Sequence, residues 1–132
     1  MTASDADARA RRRAVVQEYV DAMSAQDPDA VAALFAPDGT RTDPVGSPTL
    51  TGPERIRAAL AEVMPGPEAT VTMTFEELHF AGDSAAFVYD YRLSGPVRSR
   101  MRGIDVFAFD GQDRIRELVA YWSADDRVEE GA

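Results

Sequence analysis

The spacing of apolar residues divides the chain into a helical first half and a strand-forming second half. Apolar side chains recur at helical spacing from about Ser4 or Asp5 to about Ala25, which predicts a long first helix. The inward stripe of this helix consists of Val16, Tyr19, Val20 and Met23.

Two shorter helices are predicted before the strands begin. One runs from Pro28 to about Phe35, because Asp27 can cap it and proline is favoured at the first helical position. Residues 36–39 are typical of a turn, and a short strand from Thr40 to Asp43 follows them. The last helix opens within residues 51–54 and ends at about Met64, with an apolar stripe of Ile56, Leu60 and Val63.

Four alternating segments predict long β-strands in the second half. They cover about residues 70–80, 84–93, 98–109 and 115–123, and short turns that contain glycine join them as an antiparallel meander. We therefore predict an α+β fold in which three N-terminal helices and a curved antiparallel sheet form a cone with an apolar pocket. A single domain would span residues 1–132, with its core at about 5–123 and a loose acidic tail at 124–132.

Composition narrows the possible chemistry. The chain has no cysteine and its only histidine is His79, which argues against thiolate sites, multi-histidine metal sites and a Ser-His-Asp triad. A formal net charge of −9 argues against nucleic-acid binding. The sequence has neither an apolar run that would span a membrane nor the apolar core of a signal peptide, so we expect a cytoplasmic protein.

A carboxylate interrupts the strand Met101–Phe109, which is otherwise apolar on both faces. Because side chains alternate along a strand, Asp105 shares its face with Met101, Phe107 and Phe109. A lone carboxylate in apolar surroundings tends to keep its proton, and the protonated acid can donate a hydrogen bond at neutral pH. A salt bridge to Arg100 or Arg102 is the alternative, although alternation places both arginines on the opposite face.

Tyr19 and Asp43 are the other positions that indicate chemistry. The Tyr19 hydroxyl group points inward from the first helix and needs a partner there. Asp43 ends a short strand before Pro44, at the edge of the predicted pocket, where a carboxylate can stay solvated. Two carboxylates in contrasting environments can act as base and acid. The alternative for Tyr19 is a purely structural tyrosine in the core. The alternative for Asp43 is an aspartate that only forms a turn.

Four segments together resemble bacterial ketosteroid isomerase, a family of the nuclear transport factor 2-like (SnoaL-like) superfamily. They are Arg41–Gly46, Thr51-Gly52 with the helix after it, Gly103–Asp110 and Ala120–Ser123, in the same order and with similar spacing over about residues 12 to 125. Many members of the superfamily share the Asp-Pro-x-Gly segment alone. The joint presence of Tyr19, Asp43 and Asp105 is much more specific.

The resemblance implies a steroid Δ-isomerase that needs no metal or organic cofactor. Asp43 would be the general base, and Tyr19 and protonated Asp105 would form the oxyanion hole. Ketosteroid isomerase is itself the standard case of a neutral aspartic acid that donates a hydrogen bond, so this role follows from the resemblance. The substrate would be a small apolar ketone, a 3-oxo-Δ5 steroid. Its pocket walls would be Trp122, Phe87, Phe107, Val45 and Leu118.

The chain departs from the family pattern at the support of the oxyanion-hole tyrosine. Some members place two further tyrosines there, and this chain has Phe35 and Leu60 at the corresponding positions. Neither side chain can donate a hydrogen bond. The resemblance therefore implies that Tyr19 has fewer partners than its counterpart in those members.

Other activities on the same fold stay open. A dehydratase like scytalone dehydratase would need pocket histidines, and an epoxide hydrolase of the limonene type would need arginine where this chain has Gly103. A polyketide cyclase is harder to exclude, since it too can work with one acid as base and an apolar cavity. A non-catalytic binding module is the third possibility, but it has no need for a buried acid placed with a tyrosine and a second acid, so Asp105 discriminates against it. Relatives usually dimerise through the outer face of the sheet, and apolar Val88, Ile104 and Val106 predict a homodimer here.

Overall fold

The computed structural model describes residues 3–130. The three predicted helices are present as α1 (Ala3–Ser24), α2 (Pro28–Ala32) and α3 (Pro53–Val63). The strands are β1 (Phe35–Thr42), β2 (Leu50–Thr51), β3 (Thr70–Ala81), β4 (Ser84–Ser94), β5 (Arg98–Phe109), β6 (Ile115–Tyr121) and β7 (Arg127–Glu130), with a 3₁₀ turn at Ala124–Asp126.

The predicted α+β architecture is confirmed, with one correction to the sheet. Strands β3 to β6 form the predicted antiparallel meander, and the full order is β2-β1-β6-β5-β4-β3 with β7 paired to β5. The sheet is mixed, because β1 runs parallel to β6. This pairing places the end of β1 beside the end of β6. Asp43 and Trp122, which directly follow these two ends, are therefore neighbours.

The second helix is shorter than predicted, and the predicted turn after it is part of a strand. Helix α2 ends at Ala32, and β1 begins at Phe35. Pairing with β6 shifts register between Phe35 and Thr40, so that residues 36–39 form an irregular stretch of strand. Gly39 permits the close approach of the two strands, since a Cβ there would lie 2.7 Å from the carbonyl oxygen of Ile115.

The segment predicted to be a loose acidic tail folds back onto the sheet. After the 3₁₀ turn, β7 pairs antiparallel with the first residues of β5, from Arg98 opposite Glu130 to Met101 opposite Arg127. Strand β6 pairs with β5 only from Ile104 onwards, so β7 takes over the edge that β6 leaves open. Residues 131–132 of the predicted tail lie outside the described residues.

Aromatic side chains form the centre of the core, between the helices and the sheet. Phe107 contacts Tyr19, Phe87 and Phe109 with ring centroids 5.1 to 6.1 Å apart, all edge-to-face. A bulge in β3 between Glu76 and His79 adds local twist to the sheet. Within residues 3–130, no helix has the combined length and apolar character that crossing a membrane requires.

Candidate active site

A cavity of about 590 Å³ lies between the helices and the inner face of the sheet. Tyr19, Asp43 and Asp105 all line it, so the fold brings the three predicted residues together. Most other lining side chains are apolar, including Met23, Leu50, Leu60, Met64, Met73, Leu93 and Met101. A mostly apolar lining with a few polar groups is typical of sites that bind small molecules.

Asp105 lines this cavity from β5. It is 2% exposed and stands on β5 between Phe87 of β4 and Ala120 of β6. Burial, together with the nearby charge of Asp43, raises the pKa of Asp105 to about 8, and Arg41 opposes the shift. Asp105 is therefore mainly protonated at neutral pH.

The carboxyl group of Asp105 is available to a ligand. It forms no hydrogen bond within the described part of the chain, and it lines the cavity. The alternative of a structural salt bridge is wrong, because Arg100 pairs with Asp90 and Arg102 pairs with Glu76 on the other face. A buried acid without a protein partner, open to a cavity, can donate its proton to a bound oxygen atom.

Tyr19 reaches the same part of the cavity from α1. Its ring packs edge-to-face on Phe107, two residues beyond Asp105 on the same face of β5, with centroids 5.1 Å apart. Burial raises the pKa of Tyr19 above its ordinary value, and Arg41 opposes this effect. The hydroxyl group thus stays protonated at any working pH and is a second donor.

Asp43 is held at the edge of the cavity through both carboxylate oxygens. Trp122 donates from Nε1 to Oδ1 at 2.6 Å, and Arg41 donates from Nη2 to Oδ2 at 2.7 Å. The side chain of Asp43 is 23% exposed, in contrast to buried Asp105. The structure therefore has the contrasting pair of carboxylates that the sequence suggests.

Arg41 is a site residue that the sequence argument missed. It lies on β1, buried to 7% exposure, and its Nη2 also lies 3.4 Å from the hydroxyl oxygen of Tyr19. Burial opposes its charge, yet interactions with Tyr19 and Asp43 outweigh this and hold its pKa above the ordinary value. Alternation on the short strand could have revealed it, because Arg41 and Asp43 are two residues apart and share a face.

Tyr89 is a second lining residue that the sequence argument missed. It lies on β4 opposite Gly103 of β5, and its ring covers the glycine. A Cβ at Gly103 would lie 2.6 Å from the Tyr89 hydroxyl oxygen, so only glycine fits beneath the ring in this position. Burial, then the nearby charges of Asp105 and Asp43, raise the pKa of Tyr89, which stays a neutral phenol.

Of the five predicted pocket-wall residues, Trp122 lines the cavity. Phe87, Phe107 and Leu118 lie on the predicted face but are fully buried in the core behind the cavity lining. Val45 is 56% exposed on the loop after Asp43. Among the described residues that line the cavity, apolar contact to a ligand would instead come largely from methionine and leucine side chains.

Comparisons with known proteins show the family of this chain. Residues 16–118 match the family model of the SnoaL-like domain. The Steroid Delta-isomerase of Nocardioides simplex is 33% identical over 119 residues, which cover 88% of this chain and 93% of that protein. The Epoxide hydrolase LasB of Streptomyces lasalocidi is 28% identical over 146 residues, and the match covers 95% of this chain and 52% of LasB.

Solved structures show the same fold at lower sequence identity. The crystal structure of RV0760c from Mycobacterium tuberculosis superposes with a TM-score of 0.79 at 21% identity, and the match covers 91% of this chain and 96% of that one. The matched family model spans most of the chain, from within α1 into β6. The chain therefore belongs to the SnoaL-like family, whose members share the nuclear transport factor 2-like fold.

Proposed function

We propose that this protein moves the carbon–carbon double bond of a small apolar ketone into conjugation, with a 3-oxo-Δ5 steroid as the substrate class. One observation carries the proposal: the cavity holds a solvated carboxylate, Asp43, and two neutral donors, Tyr19 and Asp105. The similarity to the Steroid Delta-isomerase of Nocardioides simplex supports the same activity.

Asp43 and the two donors would divide the reaction between them. Asp43 takes a proton from the carbon between the carbonyl group and the double bond, and the released electron pair delocalises into a dienolate. Negative charge then develops on the ketone oxygen, where hydrogen bonds from Tyr19 and Asp105 stabilise it in a dry cavity. Asp43 returns the proton to the carbon two positions further along, so that no atom is gained or lost.

The cavity suits such a substrate in size and lining. Its volume of about 590 Å³ is within the range of small-molecule sites, about 300–1,000 Å³. The apolar walls would hold a flat hydrocarbon skeleton and exclude water from the developing charge.

In this proposal Arg41 acts on the reaction through its neighbours. By donating to the hydroxyl oxygen of Tyr19, it leaves the Tyr19 proton free for the substrate oxygen and polarises the O–H bond. It thereby supplies the support that Phe35 and Leu60, both buried and apolar, cannot give. Arg41 would be a positioning residue for both the base and the donor.

Acid–base opening of an epoxide is the second candidate function. Both oxygens of Asp43 are held by donors, which suits removal of one proton from a fixed hydroxyl group or water molecule. Asp105 would protonate the epoxide oxygen as its C–O bond breaks, and the deprotonated oxygen would form the new C–O bond. The similarity to the Epoxide hydrolase LasB favours this candidate, although this chain has Gly103 where a limonene-type site would need arginine.

Substrate comparison separates the two candidates. Conversion of an unconjugated 3-oxosteroid creates a conjugated enone with a new ultraviolet absorption band, and we expect it with the purified protein at pH 7. Hydroxy-epoxides of polyketide type serve as the competing substrates. Turnover of the epoxides without turnover of the steroid would refute the isomerase proposal.

We also propose a homodimer formed through the outer face of the sheet. Ile104 and Tyr121 are neighbours on β5 and β6 and are 45% and 51% exposed. Burying such a patch between two copies would remove apolar surface from water. Light scattering of the wild type and of Ile104→Arg tests this, with dimer expected for the first and monomer for the second.

Location in the cytoplasm stays a prediction.

A further inference from the structure

The charged groups that line the cavity leave one positive charge without a partner. They are Arg41, Asp43, Asp105 and Arg127. Arg41 and Asp43 form an ion pair, and Asp105 is mainly protonated at neutral pH. The remaining charge is the guanidinium group of Arg127. The cavity is therefore positive at that point, although the whole chain has a formal net charge of −9.

Arg127 is attached to the sheet far from the proposed reaction centre. On β7 it stands directly opposite Met101 of β5, and directly opposed side chains lie on the same face of a sheet. Met101 and Asp105 are four residues apart on that face, which corresponds to about 13 Å along the strand. Arg127 and Asp105 therefore line the cavity at two separate places, and a bound molecule could contact both.

The guanidinium group of Arg127 is free to bind a ligand. It forms no ion pair within the described part of the chain, whereas eight of the other arginines do: Arg11, Arg12, Arg41, Arg57, Arg92, Arg100, Arg102 and Arg114. Glu129, opposite Ser99 on the same side of β7, is exposed and does not line the cavity.

We propose that Arg127 forms a subsite for a carboxylate group at the end of the substrate remote from the reacting ketone. This inference rests on the proposed function and narrows its substrate class to flat apolar ketones that carry an acid group at the end of the skeleton remote from the ketone. A guanidinium group can bind a carboxylate through two parallel hydrogen bonds, which gives direction as well as attraction. Arg127 is exposed, so the gain in affinity is modest and sensitive to salt.

Equilibrium dialysis with two matched ligands tests the subsite. The ligands are a conjugated 3-oxosteroid with a carboxylic acid on the ring opposite the ketone, and its primary carboxamide, which has nearly the same shape without the charge. We expect the wild type to bind the acid about three- to fivefold more tightly at low salt. Arg127→Gln should bind the two ligands equally, and 0.5 M salt should remove most of the preference in the wild type.

Arg116→Gln is the control, because Arg116 is exposed on β6, outside the cavity lining, and its loss changes net charge equally. It should keep the preference for the acid. Equal binding of both ligands by the wild type, or a preference that survives in Arg127→Gln or disappears in Arg116→Gln, overturns the subsite.

Turnover of an unconjugated 3-oxosteroid, measured alongside, keeps the two proposals apart. Turnover without preference for the acid refutes the subsite alone. Preference for the acid without turnover refutes the isomerase alone. Failure to bind either ligand refutes both.

Discussion

Nε1 of Trp122 donates a hydrogen bond of 2.6 Å to Oδ1 of Asp43. The two residues are 79 positions apart in sequence, and the parallel pairing of β1 with β6 brings them together. Arg41 bonds the other oxygen of Asp43. The carboxylate is therefore oriented from two sides, and its position relative to the cavity depends on both donors.

Replacing Trp122 with phenylalanine should slow turnover more than it weakens binding. The change removes the hydrogen bond to Asp43 and keeps an aromatic ring in the cavity wall. Loss of one of the two donors lets the carboxylate turn away from the substrate, and a displacement of about 1 Å can cost up to about 100-fold in rate, so we expect kcat to fall about 10-fold. Steady-state kinetics with the unconjugated ketone measures this. An unchanged kcat would mean that orientation of Asp43 by Trp122 is unimportant.

Replacing Arg41 with methionine should destabilise the fold, and a second change should recover part of the loss. Arg41→Met leaves Asp43 without its cation, which we expect to lower the free energy of unfolding by about 2–3 kcal/mol, since the Asp43 side chain keeps 23% exposure. Arg41→Met combined with Asp43→Asn removes the unpaired charge. Urea denaturation at pH 7 of the wild type, the two single variants and the double variant gives the coupling energy between Arg41 and Asp43. Strictly additive losses would contradict this coupling.

The rate should fall at alkaline pH because Asp105 loses its proton. With a pKa of about 8 in the free protein, Asp105 donates below that pH and becomes an anion above it. We therefore expect kcat/KM, which reports the free enzyme, to decline above about pH 8. Asp105→Asn donates at every pH through its amide group, so its profile should lack this decline. The same decline in Asp105→Asn would assign it to another group.

Asp105 should also make the stability of the fold depend on pH. Its pKa is raised from 3.8 to about 8 in the folded state, so the folded protein binds more protons than the unfolded chain between these values. Its contribution to stability is therefore complete below about pH 4 and is lost progressively as pH rises to about 8, at up to about 1.4 kcal/mol per pH unit.

Urea denaturation of the wild type and Asp105→Asn between pH 4 and pH 8 isolates this effect. As pH rises, the free energy of unfolding of the wild type should fall relative to that of Asp105→Asn. A difference that does not vary with pH would show that Asp105 is already ionised in the folded protein.

Gly103 should be intolerant of a side chain. In Gly103→Ala the new methyl group would meet the Tyr89 ring, with atoms between 2.6 and 2.9 Å away, and displace it. We expect a loss of about 1–3 kcal/mol in the free energy of unfolding, and weaker ligand binding because Tyr89 lines the cavity. Gly111→Ala is the control, since a Cβ there has nothing within 4 Å. Equal stability of the two variants would contradict this packing.

The long strands and α1 could be predicted because their burial follows a simple period. Strand β5, for example, has the predicted bounds Arg98–Phe109. Strand β7 could not be found in this way, because all four of its residues are exposed and no apolar alternation marks them. Strand β1 was partly missed because residues 36–39 have the composition of a turn, although they run irregularly within a strand.

The two acids and the tyrosine of the candidate site could be predicted from the sequence, but its cation, Arg41, could not. Asp105 stands out because its strand neighbours are apolar, whereas Arg41 stands on a short strand among polar residues and gives no such contrast. Alternation indicates which face a side chain occupies and not how deep it lies. Phe107 and Leu118 therefore had the correct face, but the structure places them in the core behind the cavity.

The most direct test of the account is a comparison of turnover and binding in Asp43→Asn. The variant keeps the shape of the side chain and removes the base, while Tyr19 and Asp105 still form the donor pair. Turnover of an unconjugated 3-oxosteroid, followed by the absorbance of the conjugated product, should fall by at least about 100-fold, since the loss of a positioned base costs about 10² to 10⁴ in rate. Binding of the conjugated product by equilibrium dialysis should stay within a few-fold of the wild type. Turnover close to that of the wild type would contradict the assignment of Asp43 as the base and with it the proposed reaction.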